Sequence, residues 1–244
     1  MFSKRFVFVV FILAYLSFLI ASVPVSLIWQ FTSAYVPNTN ARFSDFQGTL
    51  WQGNVKLSTR GEQFDLDWEV HAARLLLGKL KVKTAVKQSS MQLDAIASIN
   101  LFGQYHIENI SGFIDDRLLS IAGLPRGTEI KGRLWIDSLN IVGGKNQPID
   151  ALSGTARWSG GPVQFLAGKT TLNTEVPQLF VELTSTENIQ LKVVDANQQE
   201  WINGRLDQDG WLNLQVLQNV ADVLELPIQS GSQNILFEMK QKLY

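Results

Sequence analysis

The chain has 244 residues, 45% of them hydrophobic and 18% charged, with 21 basic against 22 acidic side chains and no cysteine. That length allows one sizeable core or two small ones, and the missing cysteines exclude disulfides, thiolate nucleophiles and cysteine metal sites. A near-neutral charge excludes nucleic acid as a partner, which needs a concentrated basic surface, and falls short of the charge excess of a disordered chain.

Lys4 and Arg5 are the only charges before residue 30, so 1–5 reads as a short basic N-terminus. The stretch FVFVVFILAYLSFLIASVPVSLIW, Phe6 to Trp29, covers 24 positions without a charge. At about 1.5 Å per residue it is long enough for a hydrocarbon layer of about 30 Å. The basic flank assigns the N-terminus to the cytoplasm. Residues 6–29 are therefore expected as one transmembrane anchor, with Trp29 and Tyr35 as aromatic interface residues. The alternative is a cleaved signal peptide, whose apolar region is shorter and ends in small residues. Ile20-Ala21-Ser22 is a poor cleavage site and lies just before Pro24. Both readings export the rest of the chain. The expected location is a bacterial inner membrane, single-pass, with a periplasmic C-terminal domain.

Residues 30–44, with Pro37, Asn38 and Asn40, read as a linker, and 45–244 as a β domain. Phe64, Leu66, Trp68 and Val70 alternate with Asp65, Asp67 and Glu69; Leu80, Val82, Thr84 and Val86 alternate with Lys79, Lys81, Lys83 and Lys87. Period two marks strands with one buried and one wet face. Pairing these two would set acidic against basic residues and help fix register, although His71–Gly78 is long for a hairpin loop. Further strands are expected at Met91–Leu101, Ile130–Leu139, Gln178–Leu183, Ile189–Val194, Trp211–Val216 and Ile235–Met239. Short helices are expected at Asp115–Ala122 and Asn219–Leu226, the latter stopped by Pro227. Glycines punctuate the strands as turns and bulges. The expected fold class is mostly β: a single N-terminal transmembrane helix, then a curved, largely antiparallel sheet domain with one or two short helices.

Little in the chain points to catalysis. His71 and His106 are the only histidines, and neither stands at metal or nucleophile–base spacing. Asp115-Asp116 reads as a helix cap, Gly143-Gly144-Lys145-Asn146 as a turn, and Asn109-Ile110-Ser111 as a chance match to a glycosylation pattern. The seven tryptophans read as core fillers rather than a ligand platform. No catalytic, cofactor-binding or metal residue is assigned, and the chain is read as no enzyme.

The motif F-x-G-T-L-W-Q-G at Phe46–Gly53, carrying Gly48, Trp51 and Gly53, follows the apolar start. Asp67-Trp68, then Leu75-Leu76-Leu77-Gly78-Lys79-Leu80, come next, and later Gly123-Leu124-Pro125, Ile130-Lys131-Gly132 and the segment Leu152 to Trp158 with Gly154. Together with Trp201–Leu214 and Leu224–Phe237, these resemble protein N of the type II (general) secretion pathway. The resemblance implies a non-catalytic, inner-membrane-anchored accessory component in the export of folded periplasmic proteins across the outer membrane. Its partners would be other secretion components, and Gly48, Trp51, Gly53, Trp68, Gly78, Gly132, Gly154 and Trp158 would be structural. The competing expectation is a periplasmic lipid-binding or lipid-transfer protein with an apolar groove on the curved sheet.

Overall fold

In a computed structural model the described residues are 4–32, 41–59, 61–121, 128–145, 147–167, 170–223 and 234–243. They fall into two compact units, Met1–Gln88 and Ser89–Tyr244.

The first unit starts with helix α1 (Lys4–Ser22) and helix α2 (Val25–Thr32). The uncharged run expected as one helix over 6–29 is thus divided at Val23-Pro24. Proline lacks an N–H and clashes with the carbonyl four residues back, so the helix stops before it. Pro24 instead forms an antiparallel bridge with Thr49. Among the described residues no helix is long and apolar enough to cross a membrane. The α1 surface is nonetheless apolar: Phe11 and Phe18 are each 67% exposed. Ser17 and Ser22 turn their hydroxyls back onto the carbonyls of Leu13 and Phe18, both at 2.8 Å, which hides the polar groups.

Four strands follow, β1 (Ala41–Gly48), β2 (Gln52–Thr59), β3 (Glu62–Val70) and β4 (Lys79–Gln88), paired in that order as an antiparallel meander. β1 begins inside the expected linker 30–44. Tyr35, Pro37, Asn38 and Asn40 of that linker lie outside the described residues. What draws 41–44 into the sheet is an aromatic contact: Trp29 of α2 stacks on both Phe43 and Phe46, with centroids 5.0 and 5.1 Å away. Two residues three apart would face opposite sides of a regular strand. A bulge between Ser44 and Gln47, with Asp45 at φ 54°, restores them to one side.

The acidic and basic strands do pair. Asp65 lies opposite Lys87 and Glu69 opposite Lys83, and Lys87 Nζ reaches Asp67 Oδ2 diagonally at 3.0 Å. Their connection is no hairpin loop but a 3₁₀ helix, Ala72–Leu77, closed by Gly78 in the left-handed conformation at φ 69°.

The second unit contains β5 (Met91–Asn100), β6 (Tyr105–Ile114), α3 (Asp116–Ile121), β7 (Glu129–Ile130), β8 (Leu134–Gly143) and β9 (Ala151–Trp158). It continues with β10 (Gly161–Ala167), β11 (Thr170–Val176), β12 (Leu179–Ser185), β13 (Ile189–Asp195) and β14 (Glu200–Leu206). It ends with β15 (Trp211–Leu217), α4 (Asn219–Val223) and β16 (Ile235–Lys242). The main sheet runs β5-β6-β8-β9-β12-β13-β14-β15-β16, and a small sheet runs β11-β10-β7. Both are antiparallel.

The strand expected over Ile130–Leu139 is therefore two strands in two sheets. Gly132 sits between them at φ 99°, a left-handed turn that sends Ile130 to the small sheet and Leu134 to the large one. The expected Asp115–Ala122 helix is α3; residue 122 lies outside the described residues, as do 224–226 of the expected Asn219–Leu226.

Packing between the two sheets makes the core. Trp158, Val176, Trp201 and Val220 are buried there, backed by Ile130, Leu134, Val163 and Leu179. In the first unit Val55 is the buried hydrophobic residue among those described. A two-sided core in one unit and a largely one-sided sheet in the other follow from where the second layer exists.

Candidate functional site

The family-like motif Phe46–Gly53 forms the turn between β1 and β2, and that turn grips the end of α1. An α-helix leaves its last four carbonyls without partners. Here the Trp51 indole Nε1 donates to the Ile20 carbonyl at 2.9 Å, and the Leu50 backbone N–H donates to the Val23 carbonyl at 3.0 Å. Both donors meet the partial negative charge of a helix C-terminus.

Each motif residue has a geometric part in this clasp. Phe46 stacks on Trp29. Gly48 turns the chain at φ 94°, where a Cβ would collide with the Gln52 carbonyl. Thr49 pairs with Pro24, and its hydroxyl accepts from the Trp51 backbone N–H at 3.2 Å. The Trp51 carbonyl accepts from Val70 N–H at 2.6 Å, tying the turn to the end of β3. Gly53 lies under the Trp68 indole, where any side chain would strike the ring. Glu69, Val70 and the 3₁₀ helix with Gly78 complete this end of the sheet.

Away from the clasp, Asp67 holds the meander together. Asn54 Nδ2 donates to its Oδ1 at 2.7 Å and Lys87 to its Oδ2 at 3.0 Å. The Asn54 hydrogen bond, then that from Lys87, hold the Asp67 carboxyl below the ordinary carboxylate value. Glu200 of the second unit is lowered in the same sense, first by Lys192 and then by Asn203.

Gly132, Gly154 and Trp158 belong to the second unit. The Trp158 indole donates to the Lys131 carbonyl at 3.1 Å, and a Cβ on Gly132 would run into that indole and the Gly160 carbonyl. Gly154 passes beneath the Ser138 carbonyl of β8. Trp158 and Trp201 line a hollow of about 400 Å³ together with Leu119, Leu134, Val163 and Leu179. Its walls are apolar. Trp201 is 3% exposed, and its indole N–H has no hydrogen-bond partner.

Other tryptophans are not core fillers. Trp135 is sandwiched by Arg133 and Arg157, 5.7 and 5.6 Å from its centroid, and Trp211 lies under Lys240 at 5.5 Å. Arg133 also binds the Asp115 carboxylate. The Asp115 backbone carbonyl receives the N–H groups of Leu118 and Leu119 at the start of α3. Asp116 faces Lys131 at 3.7 Å. His71 precedes the 3₁₀ helix without a side-chain cap bond, and His106 lies in β6 opposite Val142. Among the described residues no group of three or more candidate ligands gathers as for a metal ion.

Sequence reasoning singled out the Phe46–Gly53 motif but not its partners in the apolar run, Ile20, Val23 and Pro24, the other half of the clasp. Pro24 was the available signal, since a proline inside an apolar run marks a helix end.

The model of the family described as type II secretion system protein N matches residues 39–226. No curated protein and no solved structure matches the chain.

Proposed function

The chain belongs to the type II secretion system protein N family, and we propose that it serves that system as a non-catalytic adaptor held at the inner membrane by α1. The observation that carries this reading is the clasp: the family-like motif is spent on joining an apolar helix to a sheet. At about 1.5 Å per residue, the 19-residue α1 extends about 28 Å, close to a hydrocarbon layer. Its exposed phenylalanines would be costly in water, at about 25 cal/mol per Å² of apolar surface. The sheet then faces the periplasm and meets other secretion components during export of folded proteins across the outer membrane. Strand β16 suits such contacts. It has one neighbour among the described residues, and Phe237 on it is exposed; an open edge can accept a partner strand.

The test is photocrosslinking in native membranes from a reactive amino acid placed at Phe237. Adducts with other inner-membrane secretion components are expected. Their absence, with the protein shown to fractionate with the inner membrane, would remove the adaptor role.

The hollow beside Trp201 favours a second reading, lipid binding. Apolar walls around about 400 Å³ match the size of small-molecule sites, and an unpartnered indole N–H suits an ester carbonyl. Native mass spectrometry of the purified full chain tests it. A bare mass under conditions that retain bound phospholipid in a control lipid-binding protein counts against it.

A further inference from the structure

The end of the first unit's sheet that carries the clasp has an unusual surface. Leu50 in the β1–β2 turn, Leu75 in the 3₁₀ helix and Leu80 at the start of β4 are each more than a third exposed. Leu27 of α2, one residue pair beyond the helix break, is exposed as well. The backbone shows that these belong to one end. Leu50 N–H bonds to the last residue of the α1 exit, Val70 N–H bonds to Trp51, and His71 N–H bonds to the Lys81 carbonyl. Residues 72–80 therefore project past the same rim from which α1 departs.

Basic side chains accompany these leucines. Arg74 and Lys79 are exposed, and Lys81 is half-buried just behind them. The acidic residue nearest this rim on β3, Glu69, is opposite Lys83 in the register. Further along β3, Asp65 lies opposite Lys87 and Asp67 is ion-paired with it.

Exposed leucines next to the exposed Arg74 and Lys79, at the root of an apolar helix, fit one kind of surface. Leucines enter the boundary between headgroups and acyl chains, and Arg or Lys meets anionic phosphates. We infer that this rim is a bilayer-contact site: Leu50, Leu75 and Leu80 dip into the interface while Arg74 and Lys79 bind anionic phospholipid headgroups. The inference rests on α1 being in the bilayer. It adds a second, lipid-selective contact that fixes the height of the sheet.

The lack of cysteine makes a direct test available. Single variants Leu75→Cys, Gln63→Cys at the far end of the sheet, and Phe11→Cys within α1 are labelled with an environment-sensitive dye. Each full chain is placed in vesicles of phosphatidylcholine, alone or mixed three to one with phosphatidylglycerol. At position 75, a lipid-borne quencher near the headgroups should act several-fold more strongly than at position 63, and more strongly again with phosphatidylglycerol. Arg74→Glu combined with Lys79→Glu should abolish that preference, a loss of about tenfold or more in selectivity. If the dye at 75 is as open to aqueous iodide as that at 63 while the dye at 11 is deep in lipid, the rim inference is overturned and the anchor stands. A rim that is shielded equally in both vesicle types overturns the headgroup assignment. A wet dye at position 11 defeats the anchor itself.

Discussion

At the scale of single residues, the clasp depends on groups whose loss has separable effects. Trp51→Phe keeps the ring but removes the donor to Ile20, so the first unit should lose about 1 kcal/mol in urea unfolding. A loss within error would show that water replaces the indole. Gly132 is less tolerant. At φ 99° and pressed against Trp158, Gly132→Ala should destabilise by about 2 kcal/mol or more, read as a lowered denaturant midpoint. Asp67 governs an acid limb. Its carboxyl is held below the ordinary value of about 3.9, so its contribution is present above that pH and fades as pH falls through the lowered value. Asp67→Asn should be less stable than wild type near neutrality and show a shallower fall in stability between about pH 5 and pH 2, as followed by urea titrations at each pH.

At the scale of elements, β3 and β4 were legible because their hydrophobic and charged residues alternate without interruption over a regular ladder. The opposite signs also chose the partner. Exchanging Lys87 and Asp67 should test this: each single reversal destabilises, and the double exchange recovers about 0.5 kcal/mol, less in high salt. Other strands did not read so plainly. β6 contains Asn109 at φ 54° and two register shifts, so its inward residues do not keep period two. β14 carries Gly204 where the Leu214 and Leu191 side chains leave no room for a Cβ, which weakens the hydrophobic pattern. The first four residues of β1, 41–44, read as linker because a bulge, not alternation, aligns Phe43 with Phe46. The helix break escaped notice for another reason: hydropathy sums side chains, whereas Pro24 acts through the backbone. The motif at Phe46–Gly53 was recognisable from its residues alone. Its role needed the distant carbonyls of Ile20 and Val23, which no local pattern reveals.

At the scale of the whole molecule, stability is distributed unevenly. The buried tryptophans and their two facing sheets belong to the second unit, so amides in β13 and β14 should exchange slowest with solvent. Those on the outer edges of β1 and β16 should exchange first, as mass-resolved hydrogen exchange will show. Uniform protection along the sheets would contradict the packing described.

The clasp also has a mechanical side. Leu50 ties the β1–β2 turn to Val23 at the exit of α1, so a pull along α1 loads that tie and the Trp51 bond to Ile20 together. A sheet joined to its helix by a leash would take no share of such a load, whereas here force on α1 passes straight into the β1–β2 turn and, through the Trp51 carbonyl, into the end of β3.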